Sequence, residues 1–225
     1  FYPRDGVSDV QRLQMVTQSG DNVNVCAVEG NFDDAQAGVK RIFSDRELAA
    51  ELEGHGWFLS SANSINWGRL LPQIAYYFSA YCDFVNAGLI APGETMNFCV
   101  PTGNFGNILA GWMARRMGLP VERFICASNE NNVLTDFINT GVYDRRREFH
   151  LTNSPSMDIL VSSNLERLLY FLTGDCGRVS SWMRGLSEEG RYDVSEEVLA
   201  RLRSEFSAGF CTGGGACAEI ARAWA

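Results

Sequence analysis

Met96-Asn97-Phe98-Cys99-Val100 followed by Pro101-Thr102-Gly103-Asn104-Phe105-Gly106-Asn107 decides the reading of this chain. The first five residues are short, apolar and β-prone. From Ile108 to Met117 the apolar residues recur at helical spacing, and the run stops at Gly118 and Pro120. A strand, a glycine-rich turn and a helix start, in that order, aim several backbone N–H groups and the positive end of a helix dipole at one point, an arrangement suited to a phosphate. Gly103 and Gly106 remove Cβ atoms that would block close approach, while Asn104 and Asn107 can cap or donate. No Lys-Ser/Thr pair follows the second glycine, so the turn is not a Walker A loop, and it lacks the third glycine of a dinucleotide fingerprint. A small phosphorylated ligand suits it better than ATP or NAD. The competing interpretation is a tight βα turn with no ligand.

Outward from this turn, strand and helix patterns alternate. Val23 to Val28 reads as a strand ending at Gly30, and Asp33 or Asp34 caps a helix to about Phe43. Trp57 to Leu59 is a short strand candidate, and Leu70 to Val85 is a long amphipathic helix with Pro72 near its start. Arg123 to Ala127 reads as a buried strand, Asn132 to Asn139 as a short helix, and Asn164 to Leu172 as a helix with its leucines on one side. The alternation predicts an α/β fold with mostly parallel sheets and flanking helices, in which ligands gather at the carboxyl ends of strands. From about Gly177 the chain turns charged and helical, with a helix over Ser187 to Phe206 interrupted at Gly190. Gly213-Gly214-Gly215 reads as a flexible turn or an unusual replacement of a loop. The expected divisions are 1–60 as part of a smaller α/β domain, 61–175 as a large α/β domain carrying the turn, and 176–225 as a helical extension.

The formal charge of −8 and the lack of a basic stripe exclude a nucleic-acid surface; Arg145-Arg146-Arg147 reads as a solvated loop. No apolar run is long enough to span a membrane. The two histidines, His55 and His150, stand alone, so no zinc or other metal site is expected. The seven cysteines form no C-x-x-C pair. Cys26, Cys99 and Cys126 lie in apolar runs and are expected to be buried reduced thiols, which points to a reducing cytoplasm. Phe1-Tyr2-Pro3-Arg4-Asp5 is neither a signal peptide nor a methionine start, so the chain is expected to be a piece of a longer one.

A second candidate anion site is Ser60-Ser61-Ala62-Asn63-Ser64-Ile65-Asn66-Trp67-Gly68-Arg69. Arg69 offers a forked donor for an oxyanion, and Asn63, Ser64 and Asn66 add neutral donors. The same residues equally describe a capped helix start with Arg69 in solvent.

Together with Tyr2 to Ser8, Gln11, Gln14-Met15, Gly30-Asn31-Phe32-Asp33-Asp34, Ala127-Ser128-Asn129-Glu130-Asn131-Asn132 and Ser154-Pro155-Ser156-Met157-Asp158, these two stretches resemble threonine synthase in its longer bacterial and fungal branch. The resemblance runs from residue 1 to about 175. It implies part of a two-domain type II pyridoxal-phosphate (PLP) fold, like that of the tryptophan synthase β chain, and conversion of O-phosphohomoserine and water to threonine and phosphate. By the same resemblance Gly103, Asn104, Phe105, Gly106 and Asn107 hold the cofactor phosphate, and Asn63, Ser64 and Arg69 hold the substrate phosphate. It assigns no individual role to Asn129–Asn132 or Ser154–Asp158.

PLP chemistry needs a lysine for the cofactor aldehyde. Lys40 is the one lysine here, on the polar side of its helix beside Arg41, and reads as a surface residue. In the family the Schiff-base lysine lies upstream of these residues, and a hydroxyl partner of the pyridine nitrogen lies downstream. The chain is therefore expected to be an inactive central fragment without its catalytic residue, with uncovered apolar faces prone to self-association. Two alternatives are another type II PLP enzyme (a dehydratase or a phospho-lyase) and a non-catalytic module binding PLP or phosphate. A phosphate-gripping Asn63–Arg69 motif opposes the dehydratase, whose substrate carries no phosphate.

Overall fold

The computed structural model describes residues 1–4, 7, 9–30, 32–60 and 64–224, without the side chains of Gln11, Phe32, Asp33, Asp34, Gln36, Ala37 and Lys40. It divides into two units, Phe1–Ser60 and Ser61–Ala225.

In the first unit, β1 (Tyr2–Pro3) pairs in parallel with β2 (Ala27–Val28), and the helices are α1 (Asp9–Val16), α2 (Phe32–Ser44) and α3 (Arg46–Gly54). Asp45 caps α3 by accepting from the N–H groups of Glu47 and Leu48, both at 3.0 Å. The strand expected over Val23–Val28 shrinks to two residues, and Trp57–Leu59 is irregular rather than a strand.

The second unit opens with α4 (Trp67–Asn86). Asn66 caps it, its Oδ1 accepting from Gly68 N at 2.9 Å. Leu70, Ile74, Tyr77 with its neighbour Phe78, and Tyr81 recur at three- to four-residue steps and turn one stripe of α4 to the core. Then come β3 (Met96–Pro101), α5 (Gly106–Arg116), β4 (Val121–Ser128), α6 (Val133–Thr140), β5 (Val142–Asp144), a 3-10 turn at Pro155–Met157, α7 (Leu165–Thr173), α8 (Cys176–Glu188), β6 (Arg191–Asp193), α9 (Glu196–Glu205), β7 (Phe206–Phe210) and α10 (Gly213–Trp224). The central sheet is parallel in the order β3-β4-β7, and β5-β6 is a short antiparallel pair. The α/β class and parallel sheet expected from the alternation are present.

Helix α5 is buried almost all round, from Gly106 to Ala114, which exceeds the amphipathic face its sequence suggests. A Cβ on Gly111 would come within 2.6 Å of the Tyr77 ring and 2.7 Å of Phe124, so glycine there lets α4 and the sheet close on the helix. Phe105, Phe124 and Phe206 form the aromatic centre beneath it.

The stretch 176–225 is more than a helical extension. It contributes β6 and, through Phe206–Phe210, the third strand of the parallel sheet. Backbone angles change from helical to extended directly at Phe206 (φ −122°, ψ 142°), with no glycine or proline to announce the break. The helix expected over Ser187–Phe206 is split by Gly190 (φ +77°) and β6, and the glycine triplet begins α10 rather than forming a loose turn. Of the three cysteines expected to be buried, Cys126 is; Cys26 and Cys99 are exposed. Cys99 is on the edge strand β3, and alternation turns it to the face opposite buried Val100. Several large apolar side chains of this unit also meet solvent, among them Leu71, Tyr76, Phe210 and Trp224. Among the described residues no helix is long and apolar enough to cross a membrane, and no group of side chains could hold a metal ion.

Candidate functional site

The turn between β3 and α5 is held from three sides. Thr102 N donates to Ala127 O (2.8 Å) and Phe105 N to Ser163 O (2.8 Å). The Ser162 hydroxyl donates to Gly103 O (2.6 Å), and Ser163 N donates to Asn104 Oδ1 (3.2 Å). Phe105 is fully buried against Phe206. With ring and N–H both committed, it anchors the turn and leaves no backbone donor for a ligand. Asn107 is fixed as well: its Nδ2 donates to Gln73 Oε1 (3.1 Å), and the Tyr77 hydroxyl lies 2.8 Å from its Oδ1 and 2.9 Å from its carbonyl oxygen. Burial pushes the Tyr77 phenol above its usual range, so it stays a neutral donor.

No hydrogen bond among the described residues takes up the backbone N–H groups of Gly103, Asn104, Gly106 or Asn107. They stand at the N-terminus of an eleven-residue helix, where dipole and unpaired donors both favour an anion. The turn opens on a cleft of ≈ 610 Å³ whose lining includes Ser64, Gln73, Gly103, Asn104, Asn107 and the segment 153–157. Among the described residues the lining holds no titratable side chain. Such a cleft can bind and orient a dianion through neutral donors.

The glycines also serve packing. A Cβ on Gly103 would stand 2.9 Å from Ser156 O and 3.0 Å from Met157 Cα, and one on Gly106 would stand 2.2 Å from Ser64 Oγ. Gly103 thus admits the 3-10 turn that walls the cleft, and Gly106 admits Ser64. That wall is tied down by Asp158. Its carboxylate accepts from Asn129 Nδ2 (2.6 Å), Asn131 Nδ2 (3.2 Å), Thr152 N (2.9 Å) and Thr152 Oγ1 (2.7 Å). From Asn129–Asn132 and Ser154–Asp158, to which the sequence assigns no individual role, Asn129, Asn131 and Asp158 therefore join in one polar network beside the cleft, while Asn132 accepts from Arg147 (2.9 Å).

Of the second candidate site, Ser64 reaches the cleft and Asn66 is the cap of α4. Arg69 lies in the first turn of α4, is exposed, and is not among the lining residues. Asn63 lies outside the described residues, as does the side chain of Lys40. Sequence reasoning passed over Ser162, Asn164 and Arg167. Asn164 is fully buried and left-handed (φ +75°), the only described non-glycine residue with positive φ. Its Nδ2 donates to Ser64 Oγ (3.0 Å), and its Oδ1 accepts from Arg167 Nη1 (2.9 Å). The available signal was Arg167 itself, a cation in the first turn of a helix, where acidic residues are favoured.

No protein-family model matches the chain. It is similar to human threonine synthase-like 1, 46% identical over 223 residues that make up 98% of this chain and 30% of the relative. It is likewise similar to threonine synthase of Pseudomonas aeruginosa, 44% identical over 207 residues, or 92% of this chain and 42% of the relative. Among solved structures, PLP-bound threonine synthase from Brucella melitensis matches with a TM-score of 0.81 and 46% identity over 93% of this chain and 43% of that one. Yeast threonine synthase matches with a TM-score of 0.80 and 35% identity over 95% and 42%. The chain spans less than half the length of each of these proteins.

Proposed function

This chain is a homologue of the threonine synthases with part of their type II PLP-enzyme fold, and on that premise we propose that it supplies the phosphate-binding part of an enzyme converting O-phosphohomoserine and water to threonine and phosphate. The observation that carries the proposal is the set of unpaired N–H groups of Gly103, Asn104, Gly106 and Asn107 at the N-terminus of α5, in a cleft lined by neutral donors. The cofactor is PLP. Its phosphate fits this turn because the donors are oriented backbone groups and, among the described residues, no carboxylate lines the seat. When bound, PLP supplies an electron sink for the carbanion at the substrate α-carbon.

The protein's own part is positional. The turn fixes the phosphate end of the cofactor, Gln73 and Tyr77 hold Asn107 in place, and the Asp158 network keeps Ser154–Met157 closed over the cleft. Ser64 binds the substrate phosphate, supported by its place in the lining; Asn63 and Arg69 are assigned with it on family resemblance alone. A phosphate departing from the substrate γ-carbon is stabilised by such pre-oriented donors, since no reorganisation accompanies the charge they meet. The seven unpaired thiols suit a reducing cytoplasm.

Titrating the chain with pyridoxal 5′-phosphate and with pyridoxal tests the cofactor seat. Saturable binding of the phosphorylated form alone, displaced by inorganic phosphate, is expected; equal binding of pyridoxal refutes it. For the reaction, the full-length protein should release threonine and phosphate from O-phosphohomoserine in equal amounts. Phosphate release without threonine would point instead to a phospho-lyase.

A further inference from the structure

Ser64 is joined to the rest of the site by a short chain of polar contacts. Arg167 can only donate, so the oxygen of the Asn164 amide must face it, at 2.9 Å. The NH₂ of the same amide must then face Ser64 Oγ, at 3.0 Å. An oxygen that accepts from Asn164 keeps its own proton for another partner, and no acceptor for it occurs among the described residues. Ser64 Oγ is also pressed against the first residue of α5, as the 2.2 Å approach of a Gly106 Cβ shows. The hydroxyl proton is thereby available beside the unpaired N–H groups of the turn.

Arg167 is well placed to polarise this chain. Its Nη1 also donates to Ser64 O (3.0 Å) and its Nη2 to Ile65 O, and the guanidinium lies 5.0 Å over the Trp67 ring. Among the described residues no carboxylate neutralises it. Asn164 holds a left-handed conformation that costs a non-glycine residue on the order of 1 kcal/mol. Such strain persists where a contact requires it, and here the required contact is the amide between Arg167 and Ser64.

We propose that Asn164 and Arg167 are positioning residues that make Ser64 an obligate hydrogen-bond donor to a phosphate monoester in the cleft. The arrangement selects ligands that accept at this point and disfavours a neutral group that would itself donate there. The inference rests on the reading of Ser64 as a phosphate donor, and the test separates the two.

Inorganic phosphate, with pyridoxal 5′-phosphate saturating the cofactor seat, is titrated against the full-length protein and its Ser64→Ala, Asn164→Gly, Ser64→Ala/Asn164→Gly and Arg167→Met variants. Glycine accepts the left-handed backbone, so Asn164→Gly removes the amide without adding strain; Arg167→Met gives a second, independent break in the relay. Each single variant should weaken binding about tenfold, as expected for one lost hydrogen bond to an anion. The double variant should be no weaker than Ser64→Ala alone, whereas a purely structural role for Asn164 would weaken both backgrounds alike. Ser64→Ala binding as well as the unmodified chain overturns the Ser64 assignment itself. A loss in Ser64→Ala with none in Asn164→Gly or Arg167→Met, or a double variant showing the product of the two losses, overturns the relay alone. Failure of the unmodified protein to bind inorganic phosphate overturns both.

Discussion

Replacing Gly106 by alanine adds a single methyl group at the point where the cleft is tightest. That Cβ would lie 2.2 Å from Ser64 Oγ and 2.6 Å from Ser64 Cβ. Ordinary contact needs about 3.4 Å, so Ser64 must retreat by roughly 1.2 Å. The retreat breaks its 3.0 Å bond to Asn164 and withdraws its hydroxyl from the seat. On stability the effects partly cancel: alanine gains about 0.4–1 kcal/mol through the unfolded chain, while overpacking costs about 1–3 kcal/mol. The net loss is about 1–2 kcal/mol, a fall in Tm of roughly 2–8 °C for a chain of this size. Binding bears the larger effect, because the methyl group and the displaced Ser64 crowd the turn that seats the cofactor phosphate; affinity for pyridoxal 5′-phosphate should drop at least about tenfold. Thermal melting and fluorescence titration of the same preparation separate the two quantities. Gly54→Ala, at the end of α3 with nothing within 4 Å, is the control: it should leave affinity unchanged and raise stability by about 0.4–1 kcal/mol through the unfolded chain. A Gly106→Ala chain that binds pyridoxal 5′-phosphate as tightly as the parent would refute the placement of Ser64 against the helix N-terminus.

Asp158→Ala leaves Asn129, Asn131 and Thr152 without their shared acceptor and should lower stability by about 2–4 kcal/mol while loosening the cleft wall; unchanged urea denaturation would refute the network's importance. Iodoacetamide should modify the six exposed cysteines of the folded chain and spare Cys126, whose thiol burial pushes up to about 12; mass spectrometry before and after denaturation checks this. Burial also raises the Tyr143 phenol to about 12 and that of Tyr192 above its usual value. Because the folded values exceed the unfolded one, their contribution is complete below about pH 10 and declines as pH rises toward 12. Phenolate absorbance of the folded chain at pH 11 should therefore report fewer than its seven tyrosines, and ionisation of all seven with the fold intact would refute the burial.

The turn at 101–107 was legible because everything that defines it is local: a β-prone run, two glycines in four residues, and a helical period after them. A capped helix start within 60–69 was legible as one of two readings for the same reason, but not that Asn66 is the cap. The Asp158 network was not, since its partners sit at 129, 131 and 152 and only the folded chain brings these amides and a hydroxyl to one carboxylate. Nor was β7, because Phe206–Phe210 is a short segment whose pairing with β4 depends on a strand far upstream. The misjudged exposure of Cys99 has a simpler cause. An apolar run shows that a strand forms, but not that it ends up on the rim of its sheet with one side uncovered.

The order β3-β4-β7 has a consequence for synthesis on the ribosome. Its first two members emerge close together, separated only by α5, and can dock while translation continues. Phe206 must then find Phe124 after α6, β5, α7, α8, β6 and α9 have all been made. Until it does, one flank of β4 presents unpaired peptide groups, the kind of surface on which nascent chains cling to each other or recruit chaperones. Codon choice or truncation that delays the arrival of residues 206–210 should therefore cost yield well before it alters the finished molecule.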